Sequence, residues 1–267
     1  MPLQKLYPQI LVSRNLFWRF WHFFLEILIF RGIDQGKSDI LAGKCADLFQ
    51  VKRSQWVKSV WSDTVSVLTT QPYRVLGDSQ NLAVEDDSPL VFSIHGYLGA
   101  PRDMGLFAKS ARDRGLASAC PKISGSQWHK AVHRLSIALE GTGRPVHLVG
   151  HSLGGLIAVQ LAHLLQDQVL SVSTIASPLS GSPHSDRFAF YSAHPLFVTR
   201  SSETVSIASP PAPMLAIAGE LDVLVPVESA TSVSDTSIVI PGEGHRSLLN
   251  KPYTCHLVED FQEESTS

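Results

Sequence analysis

Ser152 lies in a Gly-His-Ser-Leu-Gly pattern that can turn a serine hydroxyl into a nucleophile. A short β-like run, residues 146–149, precedes the pattern, and a helix-forming run follows it directly. In this strand–turn–helix context the pattern predicts a strained turn with the serine at its apex. Gly150 and Gly154 are explained if a side chain at either place would collide within the turn. The helix N-terminus beneath the serine would stabilise negative charge that develops there.

A serine hydroxyl becomes reactive when a histidine removes its proton and a carboxylate orients that histidine. After a serine of this kind, the acid and then the base are expected beyond later strands of the same sheet. Asp222 follows the apolar run 214–218, and we prefer it to Glu220 as the acid. His245 follows the run 237–240 in a Pro-Gly-Glu-Gly-His loop, and is the predicted base.

The negative oxygen of a tetrahedral intermediate would need two backbone N–H donors. Leu153, directly after the serine, is the first predicted donor. The second is expected in the loop after an earlier strand, where Tyr97 is our choice and Leu98 the alternative. His95 and His151 lie inside these motifs, and we interpret both as structural residues that bond loop backbone.

Strands alternate with helices over residues 90–262, which predicts an α/β fold with a mostly parallel, doubly wound sheet and helices on both faces. The predicted strands are 65–68, 73–76, 90–94, 118–122, 146–149, 169–175, 214–218 and 237–240. The predicted helices of this region are 103–115, 128–140, 153–165 and 253–262. Residues 182–212 contain four prolines and no clean period, which indicates a loop or small lid inserted in the domain.

Four motifs together resemble those of the α/β-hydrolase superfamily. They are His-Gly-Tyr-Leu-Gly from residue 95, Gly-His-Ser-Leu-Gly-Gly from 150, Gly-Glu-Leu-Asp-Val-Leu-Val-Pro from 219 and Gly-Glu-Gly-His from 242. Within the superfamily they are most similar to small bacterial serine esterases and lipases. The resemblance implies the α/β-hydrolase fold and hydrolysis of a small-molecule or lipid ester through an acyl-enzyme, with no cofactor and no metal.

Two other functions use the same residues. An acyltransferase or a thioesterase would differ only in the acceptor or the leaving group, which the sequence does not show. A non-catalytic binding member of the fold is the third reading, and it is disfavoured because all the elements of the chemistry are present.

The amino-terminal part differs from the rest in charge and in pattern. Residues 1–61 carry nine Lys and Arg against four Asp and Glu, although the whole chain has a net charge of −2. We therefore divide the chain into an apolar, basic helical extension, residues 1–64, and a hydrolase domain, residues 65–267. Twelve of the sixteen residues 15–30 are apolar, and the four polar ones fall on one stripe of a helix.

Two readings of helix 15–30 stay open: packing on the domain, or contact with lipid, either in the interface of an anionic membrane or at a lipid-binding mouth. A signal peptide and a transmembrane span are disfavoured, because three ionisable residues interrupt a short apolar stretch. No basic run interleaves with aromatics outside this region, so nucleic acid is not an expected partner. The three cysteines, Cys45, Cys120 and Cys255, have no zinc or disulfide spacing, which favours a cytoplasmic location.

Overall fold

The computed structural model describes most of the chain from residue 88 onwards and helical residues between 54 and 63. The described residues are 52, 54–55, 57–59, 61–63, 88–97, 99–123, 128–181 and 208–267. Ser54–Ser267 belong to one compact unit. The predicted helix 15–30, the predicted strands 65–68 and 73–76 and residues 182–207 of the predicted lid lie outside the described residues. The predicted division into 1–64 and 65–267 stays a prediction.

The described part of the chain contains one six-stranded sheet in which all neighbouring strands are parallel. The strands are β1 (Leu90–Ile94), β2 (Ala117–Ala119), β3 (Val146–His151), β4 (Val169–Ile175), β5 (Met214–Gly219) and β6 (Thr236–Ile240). Their order across the sheet is β2-β1-β3-β4-β5-β6. The predicted doubly wound, mostly parallel sheet is confirmed.

Helices cover both faces of this sheet, as predicted. The α-helices among the described residues from 88 onwards are α1 (Gly105–Asp113), α2 (Trp128–Glu140), α3 (Leu153–Leu165), α4 (Val227–Ala230) and α5 (Pro252–Glu264). Short 3-10 turns lie at Pro101–Met104, Gln166–Gln168 and Ser247–Asn250. No helix among the described residues combines the length and the apolar character that crossing a membrane requires.

The core lies on the two faces of the central strands. In β1, Leu90, Phe92 and Ile94 pack with residues of α2 and α3, whereas Val91 packs with α1 and α5. Both faces are buried, so the strands have nearly continuous apolar sequences instead of an alternating pattern. Helix α3 is apolar on almost every side because it packs against β1, β3, β4 and α2.

The direction of winding changes between β1 and β3. Helix α1 follows β1 on one face of the sheet, and α3 follows β3 on the other. The loops that leave these adjacent strands therefore diverge and open a crevice at the carboxyl edge, the usual ligand position in open parallel sheets. Tyr97 follows β1 and Ser152 follows β3, so both lie at this crevice.

Boundary differences from the prediction have local causes. Strand β2 ends at Ala119 and not at residue 122, because Pro121 has no N–H to continue the ladder. Helix α1 ends at Asp113 and not at residue 115, because Gly115 has a φ of 74°. Strand β3 extends two residues beyond its predicted end, to His151.

Candidate active site

The serine turn between β3 and α3 has an unusual backbone conformation. Ser152 has φ 54° and ψ −123°, a combination that a non-glycine residue rarely adopts. Its N–H donates to the carbonyl oxygen of Ile175 at 2.9 Å, which fixes the turn to the end of β4. The Ser152 residue is partly exposed, whereas His151 and Leu153 on either side are buried. The fold thus presents one hydroxyl at the carboxyl edge of the sheet.

Both glycines of the turn lie close to other backbone atoms, but each lies close to a different segment. A Cβ on Gly150 would lie 2.6 Å from the carbonyl oxygen of Gly154, as the collision argument predicts. A Cβ on Gly154 would instead clash first with the carbonyl oxygen of Ile94, the last residue of β1, and would lie 2.7 Å from that of His95. The second glycine therefore allows α3 to pack against the end of β1, which brings the two loops of the crevice together.

Asp222 and His245 form a direct hydrogen bond. The Nδ1–H of His245 donates to Oδ2 of Asp222 at 2.7 Å, and the two side chains are 8% and 1% exposed. The other carboxylate oxygen of Asp222 accepts the N–H groups of Leu224 at 2.8 Å and Val225 at 2.9 Å. Since Nδ1 carries the proton in this bond, Nε2 of the neutral ring is free to accept one.

Glu220, the weaker candidate for the acid, lies elsewhere. Its residue is exposed, and Oε2 accepts the N–H of Gly242 at 2.9 Å. It therefore supports the loop that leads to His245 but does not hydrogen-bond the imidazole in the way Asp222 does.

The electrostatic environment separates His245 from the two histidines of the other motifs. Burial would lower the pKa of His245, but the charge and hydrogen bond of Asp222, helped by the charge of Asp63, raise it above its ordinary value. Burial lowers the pKa of His151 well below its ordinary value, and the neighbouring His245 and Arg246 lower it further. Burial also lowers the pKa of His95.

Hydrogen bonds of His95 and His151 are made to loop backbone. The Nδ1–H of His95 donates to the carbonyl oxygen of Gly96 at 2.8 Å, and Nε2 accepts the N–H of Ile123 at 3.1 Å. The Nε2–H of His151 donates to the carbonyl oxygen of His245 at 3.0 Å, and the two rings lie 4.8 Å apart. The latter bond holds the loop of His245 against the residue that precedes Ser152.

The predicted oxyanion donors lie on the two loops of the crevice. Leu153 is the first residue of α3, where N–H groups have no partner within the helix. Tyr97 follows Gly96, which lies close to the serine turn. A Cβ on Gly96 would be only 3.1 Å from Cβ of Ser152. Leu98, the alternative donor, lies outside the described residues.

Asp63 is a residue of this region that the sequence did not indicate. Its Oδ1 accepts the N–H groups of Arg246 at 2.9 Å and Ser247 at 3.0 Å, directly after His245. The separation along the chain is more than 180 residues, and a single aspartate near a helix end carries no signal of such a contact. In the sequence, the glycine at position 244 of the His245 loop is the one feature related to this contact, because a residue without a side chain leaves room for the carboxylate of Asp63.

The other reactive side chains among the described residues form neither a metal site nor a reactive cysteine site. No cluster of three or more His, Cys, Asp or Glu side chains in this part of the chain could hold a metal ion. Cys120 and Cys255 are buried free thiols, and burial raises the pKa of each to about 12. Neither is a thiolate at neutral pH.

Comparison with known protein families and solved structures identifies proteins that are similar to this chain in sequence or in fold. The model of the PGAP1-like alpha/beta domain matches residues 126–238, a range that includes Ser152 and Asp222 and ends before His245. No curated protein sequence matches the chain.

Solved structures match at low identity and over most of their own length. Est1E from Butyrivibrio proteoclasticus is 15% identical, with a TM-score of 0.56 over 70% of this chain and 93% of that one. A putative lipase from Acinetobacter baumannii is 16% identical, with a TM-score of 0.53 over 75% and 96%. The carboxylesterase CesB from Bacillus subtilis is 14% identical, with a TM-score of 0.53 over 75% and 98%. Together with the parallel sheet and its serine turn, these likenesses show that the chain has the fold of the α/β-hydrolase superfamily.

Proposed function

We propose that this protein is a serine hydrolase that cleaves carboxylic esters through an acyl-enzyme. The observation that carries the proposal is the 2.7 Å hydrogen bond between His245 and Asp222, beside the strained serine turn of β3. A buried acid that orients a histidine near a partly exposed serine is the arrangement that general-base activation of a hydroxyl requires. The fold likeness to a carboxylesterase and a putative lipase supports the ester class.

In the acylation step, Nε2 of His245 takes the proton of Ser152 as Oγ attacks the carbonyl carbon of the ester. The Asp222 carboxylate stabilises the imidazolium that forms, and the N–H groups of Leu153 and Tyr97 stabilise the oxyanion. Collapse of the tetrahedral intermediate breaks the bond to the alcohol, which leaves with the proton from His245. A water molecule then reacts by the same steps, releases the carboxylic acid and restores Ser152.

The same residues would serve an acyltransferase or a thioesterase, and the acceptor decides between them. We favour water and an oxygen ester because the named neighbours include a carboxylesterase and a putative lipase. Product analysis with an ester substrate, with and without an added alcohol, separates hydrolysis from acyl transfer.

We also propose that residues 15–30 bring the enzyme to lipid substrate by lying in a membrane interface. Support comes from the sequence alone: a broad apolar side, a narrow polar stripe and the basic charge of the surrounding residues. These residues lie outside the described ones.

A fluorophosphonate probe tests the catalytic proposal, because it forms a covalent bond only with an activated serine. The wild-type protein should be labelled at Ser152, and Ser152→Ala should lose both the label and about 10⁴-fold or more of the ester hydrolysis. Ser180→Ala is the matched control, since Ser180 is an exposed serine in the turn after β4. Persistent labelling of Ser152→Ala would show that the nucleophile is another residue.

A further inference from the structure

Asp63 reaches the loop of His245 from a distant part of the chain. It is the last of the described helical residues between 54 and 63, is partly buried, and accepts the N–H groups of Arg246 and Ser247 through a single oxygen, Oδ1. These N–H groups open the 3-10 turn Ser247–Asn250, which begins two residues after His245. The carboxylate thus fixes the backbone on the carboxyl-terminal side of the histidine.

The residues before His245 are shaped around the same carboxylate. A Cβ on Gly244 would lie 2.8 Å from Oδ1 of Asp63, so a side chain there would displace the carboxylate from its present position. Ser62 adds a second contact, from its hydroxyl to Oε2 of Glu243 at 3.3 Å. Adjacent residues of one segment therefore hold both sides of His245.

Glu243 is anchored in turn by groups that follow the loop. Its Oε1 accepts the ammonium group of Lys251 at 2.9 Å and the hydroxyl of Tyr253 at 2.7 Å. The position of Glu243 is therefore set independently of Asp63, and Asp63 completes the restraint of the loop on the other side of His245.

The charge of Asp63 also acts on the imidazole. The charged and titratable groups that surround His245 are Asp222 of the loop after β5, Asp63, Arg246 of its own loop and His151 at the end of β3. Of these, His151 is neutral, and Arg246 is paired with Asp103 at 3.2 Å. Asp63 is therefore the second carboxylate, after Asp222, whose charge favours the protonated ring. Burial raises the pKa of Asp63 above its ordinary value, although the charge of His245 and the N–H of Arg246 act in the opposite direction.

We propose that Asp63 is a positioning residue for His245, which holds its loop through two backbone hydrogen bonds and stabilises the imidazolium by charge. The proposal rests on the proposed function, in which His245 accepts the proton of Ser152. Asp63 does not touch the reacting atoms and acts through His245 alone. Its contribution thus has a geometric part and an electrostatic part, and variants at this position can separate them.

Asp63→Asn keeps an oxygen that can accept both N–H groups but removes the charge. The pKa of His245 should therefore fall, because the charged ring loses an opposite charge. Since His245 acts as a base only when neutral, the acid limb of kcat/KM should move to lower pH, by about 0.5–1 pH unit.

Asp63→Glu keeps the charge and displaces the oxygen, so it should lower kcat while leaving the acid limb near that of the wild type. Asp63→Ala leaves both N–H groups without an acceptor and should lower kcat by roughly 10- to 100-fold.

Asp235→Asn is the matched control. Oδ2 of Asp235 also accepts a backbone N–H, that of Met214 at 2.9 Å. This bond lies at the start of β5 and β6, the opposite edge of the sheet from His245. The control removes the same charge from the protein and should leave the acid limb unchanged.

The experiment compares wild type, the three Asp63 variants and Asp235→Asn in kcat/KM for p-nitrophenyl butyrate between pH 4 and 9. NMR titration of the His245 ring supplies a readout that does not need activity, and thermal unfolding reports stability. A shift of both midpoints in Asp63→Asn, absent in Asp235→Asn and Asp63→Glu, supports the proposal. Equal midpoints in Asp63→Asn and wild type, or an equal shift in Asp235→Asn, would overturn it, even if the melting temperature falls. Absence of hydrolysis in the wild type would refute the proposed function instead, while the His245 titration would still decide the role of Asp63.

Discussion

Asp222→Asn should abolish most of the activity while leaving the fold intact. An asparagine at this place can still accept the N–H groups of Leu224 and Val225, so the loop after β5 keeps its shape. The amide NH₂ would then take the position of Oδ2, which accepts the Nδ1–H of His245 at 2.7 Å. Two donors cannot bond each other, so the ring takes the other tautomer and its Nε2 can no longer accept the serine proton. A wrong tautomer of this kind costs about 10⁴-fold in kcat, or about 5 kcal/mol of transition-state stabilisation.

Glu220→Gln is the control for the loss of a carboxylate in the same loop. The Glu220 residue is exposed, and a glutamine oxygen can replace Oε2 as acceptor for the N–H of Gly242. We expect kcat to change by less than about threefold, because an exposed charge with a preserved hydrogen bond contributes little.

Steady-state kinetics with p-nitrophenyl butyrate measures kcat and KM for the two variants, and thermal unfolding checks that both are folded. Labelling of Ser152 by the fluorophosphonate probe should slow in parallel with kcat in Asp222→Asn. Similar losses in the two variants, or a larger loss in Glu220→Gln, would show that Asp222 does not orient the base.

Two further predictions concern the serine turn and the amino-terminal helix. Gly154→Ala should destabilise the fold by roughly 1–3 kcal/mol in urea unfolding, because the new Cβ would meet the carbonyl oxygens of Ile94 and His95. Gly141→Ala, with 3.3 Å to the nearest atom, should cost less, and equal costs would contradict this reasoning. If residues 15–30 contact lipid, the full chain should co-sediment with anionic vesicles, less so at high salt, and a chain lacking residues 1–32 should not. A full chain that ignores such vesicles would leave packing on the domain as the role of this helix.

The central elements of the fold were predictable because local pattern and burial agree there. Strand β1, strand β4 and helix α2 have the predicted bounds, since a buried strand gives a short, nearly continuous apolar run and an amphipathic helix gives a clear periodic pattern. Strand β2 was less predictable, because it contributes only three residues, Ala-Ser-Ala, whose apolar content does not distinguish it from the loop that follows. A strand this short depends on pairing with a neighbour, here β1, more than on its own sequence.

The candidate site was predictable where chemistry depends on the order of motifs along the chain. The proposed serine, acid and base follow β3, β5 and β6 in this order, and parallel strands bring their carboxyl ends to one edge of the sheet. The choice between Asp222 and Glu220 depended on position alone, whereas the structure gives Glu220 a contact of its own with Gly242. The origin of the Gly154 requirement was not predictable, because the clash involves the carbonyl of His95, far along the chain.

The contact of Asp63 with the loop of His245 could not be predicted from the sequence, and the reason is physical. Its partners are backbone N–H groups, which every residue except proline carries, so residues 246 and 247 show nothing specific in the sequence. The loop of His245 leaves β6, which among the strands that the structure describes pairs with β5 alone. Restraint on the other side must therefore come from segments outside the sheet, and here residues 62 and 63 provide it. The base of the proposed mechanism thus depends on a segment that precedes β1, and changes in that segment should alter the chemistry without altering any motif.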